Sequence, residues 1–247
     1  MKILAIGNSF SSDATHYLHQ IARADGFELN VVNLYIGGCP LSYHYSNLLS
    51  GEKRYDLEFN GVYTGFKVSI KDALESGSWT PFDAVTLQQA SHLSFNPDTY
   101  HPYLEMLAET IRVHQPKTRL MIHQTWAYRK DSDKLAAMQF SSPEEMFDAI
   151  RKAYDLAAES VKADGIIPCG TAFRKLMEKG VYDIHRDDFH ASKGFGRYVL
   201  ALTWYETLTG RTCIGNSFRD FDEEVSEVQV ALAQQVAHVA AQEFIIK

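Results

Sequence analysis

The sequence lacks long apolar runs, basic clusters and paired cysteines, and each absence removes a class of protein. No apolar stretch approaches membrane-spanning length, and no segment of signal-peptide type follows Met1 and Lys2, so a cytoplasmic protein without membrane contacts is expected. The formal net charge is −7 without any basic run, so a nucleic-acid partner is not expected. Cys39, Cys169 and Cys213 show no metal-type spacing, which predicts reduced and mostly buried thiols.

What is present indicates a globular α/β protein. Hydrophobic residues make up 45% of the 247 residues, which is enough for a sizeable core and excludes a disordered chain. Short apolar runs alternate with segments of helical periodicity, which favours a parallel sheet covered by helices on both faces. The sequence shows no internal repeat and no linker, so residues 1–247 are predicted to form a single domain.

The apolar runs predict five core strands. They lie at residues 2–6, 29–35, 83–87, 120–123 and 165–168. Ser11, Ser12 and Asp13 are the expected N-cap residues of the first helix. We therefore predict a three-layer, flavodoxin-like sandwich whose five-stranded parallel sheet has the order 2-1-3-4-5.

Two further segments stand apart from this regular alternation. Residues 53–77 contain two alternating runs around Asn60-Gly61, which predicts an inserted β-hairpin and suggests a flap beside the functional site. Residues 126–143 predict a long polar loop with one helical turn. Trp126 and Tyr128 begin this loop at the end of the fourth strand, where they are candidates for stacking on a sugar.

Two polar segments carry the residue types of a serine hydrolase. Ser9 follows the first strand in a turn of small residues, and Asp187 and His190 stand at i, i+3 spacing near the other end of the chain. A nucleophilic serine needs an imidazole base and a carboxylate that orients the imidazole. The spacing predicts that Asp187 orients His190 and that His190 activates Ser9.

These segments resemble the conserved blocks of the SGNH/GDSL hydrolase superfamily. Gly7-Asn8-Ser9-Phe10-Ser11 resembles the first block, with Asn8 where the Gly-Asp-Ser form carries Asp. Gly37-Gly38-Cys39 resembles the second block, and Asp187-Asp188-Phe189-His190 resembles the terminal Asp-x-x-His block. In detail the chain resembles an SGNH branch, common in gut bacteria, that has long been known only as a domain of unknown function.

The resemblance implies a catalytic triad of Ser9, Asp187 and His190, and an oxyanion hole built from the N–H groups of Ser9 and Gly38. One block departs from the family pattern. The family's third block, Gly-x-Asn-Asp, supplies an Asn side chain to the oxyanion hole, whereas the third strand here ends in Leu87-Gln88-Gln89-Ala90-Ser91-His92. A glutamine amide is also an N–H donor, so Gln89 is predicted to complete the hole, with Gln88 and then His92 as alternatives.

Other interpretations of these residues stay open. Asp188 could serve as the triad acid in place of Asp187. The segment from His185 to His190 could ligate a metal, although no second cluster with ligand spacing accompanies it. No metal and no cofactor is therefore predicted.

Taken together, these observations predict a serine esterase or acyl hydrolase. The expected partner is a small-molecule ester or an acylated carbohydrate, with acetyl esters included. The alternative is a non-catalytic sugar- or metabolite-binding module on the same flavodoxin-like scaffold, which the missing Asn block would favour. The sequence indicates neither the natural substrate nor the oligomeric state.

Overall fold

A mixed sheet of seven strands forms the centre of the computed structural model, which describes residues 1–244. In chain order the strands are β1 (Lys2–Gly7), β2 (Asn30–Tyr35), β3 (Tyr55–Phe59), β4 (Val62–Val68), β5 (Ala84–Leu87), β6 (Arg119–His123) and β7 (Gly165–Ile167). Their order across the sheet is β4-β3-β2-β1-β5-β6-β7. The five strands from β2 to β7 in this order pair in parallel, whereas β3 is antiparallel to both β2 and β4.

The predicted five-stranded, wholly parallel sheet is wrong, because the hairpin extends the sheet instead of standing apart from it. Strand β3 pairs with β2, and the pairs include Val32 with Phe59. The hairpin turn has φ of 53° at Asn60 and 82° at Gly61, as a turn with two left-handed residues requires. A Cβ on Gly61 would lie 2.2 Å from the carbonyl oxygen of His16, so the turn also packs against the helical layer.

Helices cover both faces of the sheet, as predicted. They are α1 (Ser9–Thr15), α2 (Leu18–Ala24), α3 (Leu41–Ser50), α4 (Ile70–Glu75), α5 (Tyr103–His114), α6 (Asp133–Ala137), α7 (Pro143–Ser160), α8 (Cys169–Glu178), α9 (Phe195–Thr209) and α10 (Glu227–Phe244). Alternation along β1 separates the two cores: Ile3 and Ala5 belong to the core under α8, α9 and α10, whereas Leu4 and Ile6 belong to the core under α5 and α7. No helix within residues 1–244 is long and apolar enough to cross a membrane.

The first helix begins earlier than the sequence pattern predicts. Its N-cap is Asn8, whose side-chain Oδ1 accepts a hydrogen bond of 3.1 Å from the N–H of Phe10. The predicted caps Ser11, Ser12 and Asp13 therefore lie inside α1. Asn is as good an N-cap as Ser or Asp, so the local preference alone did not separate these positions. The consequence is that Ser9 occupies the first position of a helix, directly after β1.

Candidate active site

The carboxyl ends of the parallel strands meet at one edge of the sheet, and a cavity of about 390 Å³ opens there. Its lining includes Ser9 after β1, Gly38 after β2, Ser91 and His92 after β5, Tyr128 after β6, and His190 before α9. Such an edge is where α/β sheets bind ligands, because the strand order reverses between β2 and β5 on either side of β1. Residues from distant parts of the chain therefore share one concave surface.

The structure brings Ser9, His190 and Asp187 into a hydrogen-bonded row. The Nε2 atom of His190 lies 2.9 Å from Ser9 Oγ, and its Nδ1 atom lies 2.7 Å from Asp187 Oδ2. Asp187 Oδ1 also accepts the backbone N–H groups of Phe189 at 3.0 Å and of His190 at 2.8 Å. The carboxylate therefore fixes both the ring and the backbone of the residue that contacts Ser9.

The same contacts keep Asp187 ionised. Partial burial raises the pKa of this carboxyl, but the N–H groups of His190 and Phe189 and the His190 ring outweigh that effect and lower the pKa to about 2. Asp188, the alternative acid, faces elsewhere: its Oδ2 atom lies 3.4 Å from Lys134 Nζ. Of the two neighbouring carboxylates, Asp187 is the one in hydrogen-bond contact with the His190 ring.

The Ser9 turn and the Gly38 turn are tied together by Asn8. The side-chain N–H of Asn8 donates to the carbonyl oxygen of Cys39 at 3.2 Å. Gly38 has φ of +62°, so the second turn adopts the left-handed conformation that favours glycine. Among residues 1–244, the backbone N–H groups of Ser9 and Gly38 donate to no protein acceptor, and both residues line the cavity. Two residues with free backbone donors therefore line the cavity that holds the Ser9 hydroxyl.

The two glutamines considered as a third donor are engaged away from the cavity. Gln89 is fully buried, and its amide nitrogen donates to the carbonyl oxygen of Thr99 at 2.9 Å and to the Thr99 hydroxyl at 3.1 Å. Gln88 donates to Asn8 Oδ1 at 2.7 Å and pairs with His123 Nδ1 at 2.6 Å. An oxyanion role for either amide would require these bonds to break, and it stays a prediction. In the same segment Ser91 and His92 do line the cavity.

The aromatic residues at the end of β6 divide between core and cavity. Trp126 is fully buried, stacks on Phe10 with ring centroids 4.0 Å apart, and donates from Nε1 to the carbonyl oxygen of Phe189 at 2.8 Å. The prediction that Trp126 stacks on a sugar is therefore wrong, because its ring is packed in the core under the helices and has no exposed face. Tyr128 lines the cavity, and its hydroxyl lies 3.1 Å from Ser91 Oγ.

The sequence pattern missed Lys134 and Met138, which line the cavity from α6 and its C-cap. Both lie in the polar segment that follows β6. Their position after a central parallel strand is the feature of the sequence that could have indicated that they line the cavity. The Lys134 ammonium stands 4.4 Å from the centre of the Phe189 ring. The hairpin suggested as a flap contributes no lining residue among the part of the chain that the structure describes.

The segment proposed as an alternative metal site forms no cluster of ligands. Its first histidine, His185, is buried and its Nε2 atom lies 3.1 Å from the carbonyl oxygen of Ala127. Within residues 1–244 no group of three or more His, Cys, Asp or Glu side chains is arranged to hold a metal ion. Burial raises the pKa of the Cys39 thiol to about 12, so this neighbour of Gly38 stays protonated at neutral pH.

A family model and a solved structure place this chain in the same family. Residues 2–240 match the family described as "Domain of unknown function (DUF4886)". A DUF4886 family protein from Bacteroides uniformis, known from its crystal structure, is 34% identical with a TM-score of 0.90, and the match covers 98% of this chain and 95% of that chain. A candidate SGNH hydrolase from Slackia heliotrinireducens is 26% identical with a TM-score of 0.60, over 83% of this chain and 97% of that chain.

A more distant likeness extends to an acetylxylan esterase from Geobacillus stearothermophilus. It is 14% identical with a TM-score of 0.55, over 84% of this chain and 94% of that chain, which shows a shared fold. A search of functionally curated proteins found no match. The resemblance to the SGNH/GDSL hydrolase superfamily is thus confirmed, and the chain belongs to the DUF4886 family.

Proposed function

We propose that this protein is a serine ester hydrolase that releases short acyl groups from small or carbohydrate-linked esters. The observation that carries the proposal is the distance of 2.9 Å between His190 Nε2 and Ser9 Oγ, in a row that Asp187 completes. A hydroxyl, a base and an orienting carboxylate in hydrogen-bond contact are the parts of an acyl-transfer site.

In the proposed reaction the Ser9 hydroxyl attacks the ester carbonyl while His190 Nε2 takes its proton. Asp187 holds the ring and stabilises the imidazolium that forms. The tetrahedral intermediate collapses, the ester C–O bond breaks, and His190 returns the proton to the departing alcohol. Water then attacks the acyl-Ser9 ester with His190 again as the base, which releases the carboxylic acid and restores Ser9.

The N–H groups of Ser9 and Gly38 are proposed as oxyanion donors, because both groups are unpaired among the described residues and both residues line the cavity. Of the three side chains considered for the third donor, His92 is the one that lines the cavity without first losing a buried hydrogen bond. We therefore place His92 ahead of Gln89 and Gln88 in this role.

The shape of the cavity supports a short acyl group. Its volume of about 390 Å³ is near the small end of ligand-binding sites, which run from about 300 to 1,000 Å³. The side chains of Met138 and Phe189 offer an apolar surface to the acyl chain, and Ser91, His92 and Lys134 offer polar groups to an alcohol rich in hydroxyls. An acetylated sugar combines these two properties.

Covalent labelling tests the proposed nucleophile directly. A fluorophosphonate probe is expected to modify Ser9, because the probe reacts with a serine that a base activates. Peptide mapping by mass spectrometry checks the site, and Ser91→Ala is the matched control because Ser91 lines the same cavity without contacting His190. Labelling lost in Ser9→Ala and kept in Ser91→Ala is expected. Binding of a small sugar without any labelling would instead favour the non-catalytic module.

The third oxyanion donor is tested by comparing His92→Ala with Gln89→Leu. If His92 donates to the oxyanion, its loss lowers kcat by about 100-fold, the usual effect of removing one donor, and leaves the melting temperature nearly unchanged because His92 is exposed. Gln89→Leu is expected to lower the melting temperature, since Thr99, Leu41 and Ala90 lose a buried partner. Full activity in His92→Ala with a 100-fold loss in a folded Gln89 variant would reverse the assignment.

A further inference from the structure

A buried carboxylate lies one helical turn beyond the proposed nucleophile. Asp13 is 1% exposed and stands four residues after Ser9 on α1, so both side chains project from the same face of the helix. Ser9 contacts His190 from this face. Asp13 contacts the segment that carries His190, which we call the acid–base loop (residues 185–191).

Asp13 holds the acid–base loop at both of its ends. Arg186 Nη1 donates to Asp13 Oδ1 at 2.8 Å and to Oδ2 at 2.9 Å. The backbone N–H of Ala191 donates to Asp13 Oδ2 at 3.2 Å. Arg197, from the first turn of α9, completes the set with a bond of 2.9 Å from Nε to Oδ1. One carboxylate therefore accepts hydrogen bonds from the residue before Asp187 and from the residue after His190.

The loop closes on itself between these two anchor points. His185 and Ala191 form an isolated antiparallel bridge, and the N–H of Arg186 donates to the carbonyl oxygen of His190 at 3.0 Å. Arg186 Nη1 also donates to the carbonyl oxygen of Ala191. Asp187 and His190 thus sit in a closed turn whose base rests on Asp13.

Other contacts hold the loop from the opposite side, but they do not reach α1. Trp126 Nε1 donates to the carbonyl oxygen of Phe189, and the N–H of Arg129 donates to the carbonyl oxygen of Asp188 at 2.8 Å. Both partners follow β6. Apart from the contact between His190 and Ser9, the bonds that Asp13 accepts from Arg186 and Ala191 are polar links between the loop and the helix on which Ser9 lies.

We propose that Asp13 is a positioning residue that sets the separation of His190 from Ser9 through Arg186 and Ala191. The inference rests on the proposed function for its effect on rate, but the mechanical link is independent of catalysis. Asp13 itself is buried whereas the Arg186 side chain is partly exposed. Water therefore has little access to the carboxylate oxygens, and the charge-assisted bonds from Arg186 are not readily replaced by bonds to water. Losing the anchor lets His190 drift from the distance at which it accepts the Ser9 proton.

The test is Asp13→Asn, which keeps the shape and removes the charge. We expect kcat for a short acyl ester to fall about 10- to 100-fold, the effect of a misplacement on the scale of an ångström. KM should stay within about twofold, because Asp13 does not line the cavity. Hydrogen exchange of the Ala191 and His190 amides should become faster than in the wild type.

Glu206→Gln is the matched control. Glu206 is also 1% exposed and also accepts from a backbone N–H, that of Cys213 at 2.9 Å, but it lies on α9, pairs with His238 of α10 and does not line the cavity. It should lose stability without losing kcat and without faster exchange in residues 185–191. Equal kcat and unchanged exchange in a folded Asp13→Asn protein would overturn the proposal. Faster exchange in a protein whose wild type shows no ester hydrolysis or labelling would reject the proposed function and keep the positioning role.

Discussion

Replacing Ser9 by alanine is expected to lower kcat/KM for 4-nitrophenyl acetate by at least about 10⁴-fold. The reason is that Ser9 Oγ is the atom in contact with His190 Nε2, so the variant has no group to form the acyl intermediate. The fold should be unchanged, because among the described residues the only side-chain contact that the hydroxyl makes is this one. Initial rates of nitrophenolate release, with circular dichroism as a check on folding, measure the effect.

Two further variants make this prediction more specific. Ser91→Ala removes the other serine hydroxyl of the cavity, and it should retain activity within about tenfold if Ser9 is the nucleophile. His190→Ala combined with Ser9→Ala should be no slower than either single variant, since residues that act as one unit do not add in their effects. A folded Ser9→Ala protein that keeps the wild-type rate would eliminate the proposed mechanism.

The sequence predicted the parts of the site that depend on strand order. Ser9 and Gly38 follow strands whose places in the sheet follow from the alternation of strands and helices, and parallel strands deliver their ends to one edge. The contact predicted from the i, i+3 spacing of Asp187 and His190 is also present, because a closed turn of this length places the carboxylate within hydrogen-bond distance of the ring. The placement of these residues followed from backbone rules, whereas their roles followed from side-chain chemistry and from the resemblance to the SGNH/GDSL blocks.

The parts of the site and fold that were not predicted depend on which of several possible hydrogen-bond partners a residue meets in the folded chain. Gln89 follows a central strand like a cavity residue, but Thr99 and the N–H of Leu41 lie close enough to engage its amide in the core. The hairpin was recognised from Asn60-Gly61, yet a local turn signal cannot say that its first strand will pair with the open edge of β2. Such outcomes are decided by tertiary contacts between residues that are far apart in the sequence.

The role of Asp13 was also missed, because its partners are far away in the sequence. As a polar residue near a helix start it was assigned to capping, which Ser, Asp and Asn share. In the structure Asn8 caps the helix, and Asp13 receives two arginines from positions more than 170 residues away. Without the fold, nothing near Asp13 in the sequence indicates that it holds the acid–base loop.

A second large effect is expected on stability in mild acid. His44, His123 and His185 are buried, and burial lowers the pKa of His44 and His123 to about 3 and that of His185 to about 4. Their ordinary pKa is near 6.5, so between pH 6.5 and these values the unfolded chain binds more protons than the folded one. Stability from this source is complete above pH 6.5 and is lost as the pH falls. Between pH 6.5 and pH 5 the loss is about 2 kcal/mol for each histidine.

His44→Asn isolates one of these contributions. Asparagine can keep the hydrogen bond that His44 Nδ1 makes to the Tyr55 hydroxyl at 2.8 Å, but it does not titrate. Urea unfolding at pH 7 and pH 5 should therefore show a smaller loss of the free energy of unfolding than in the wild type, by about 2 kcal/mol. His92→Asn, at an exposed histidine, should keep the wild-type loss. A lower stability of the variant at both pH values does not affect the test, because the contribution of the buried ring is measured as the difference between the free energies of unfolding at pH 7 and pH 5. An equal free energy of unfolding of the wild type at pH 7 and pH 5 would contradict the prediction, because it would show that the folded protein binds protons at these histidines as readily as the unfolded chain does.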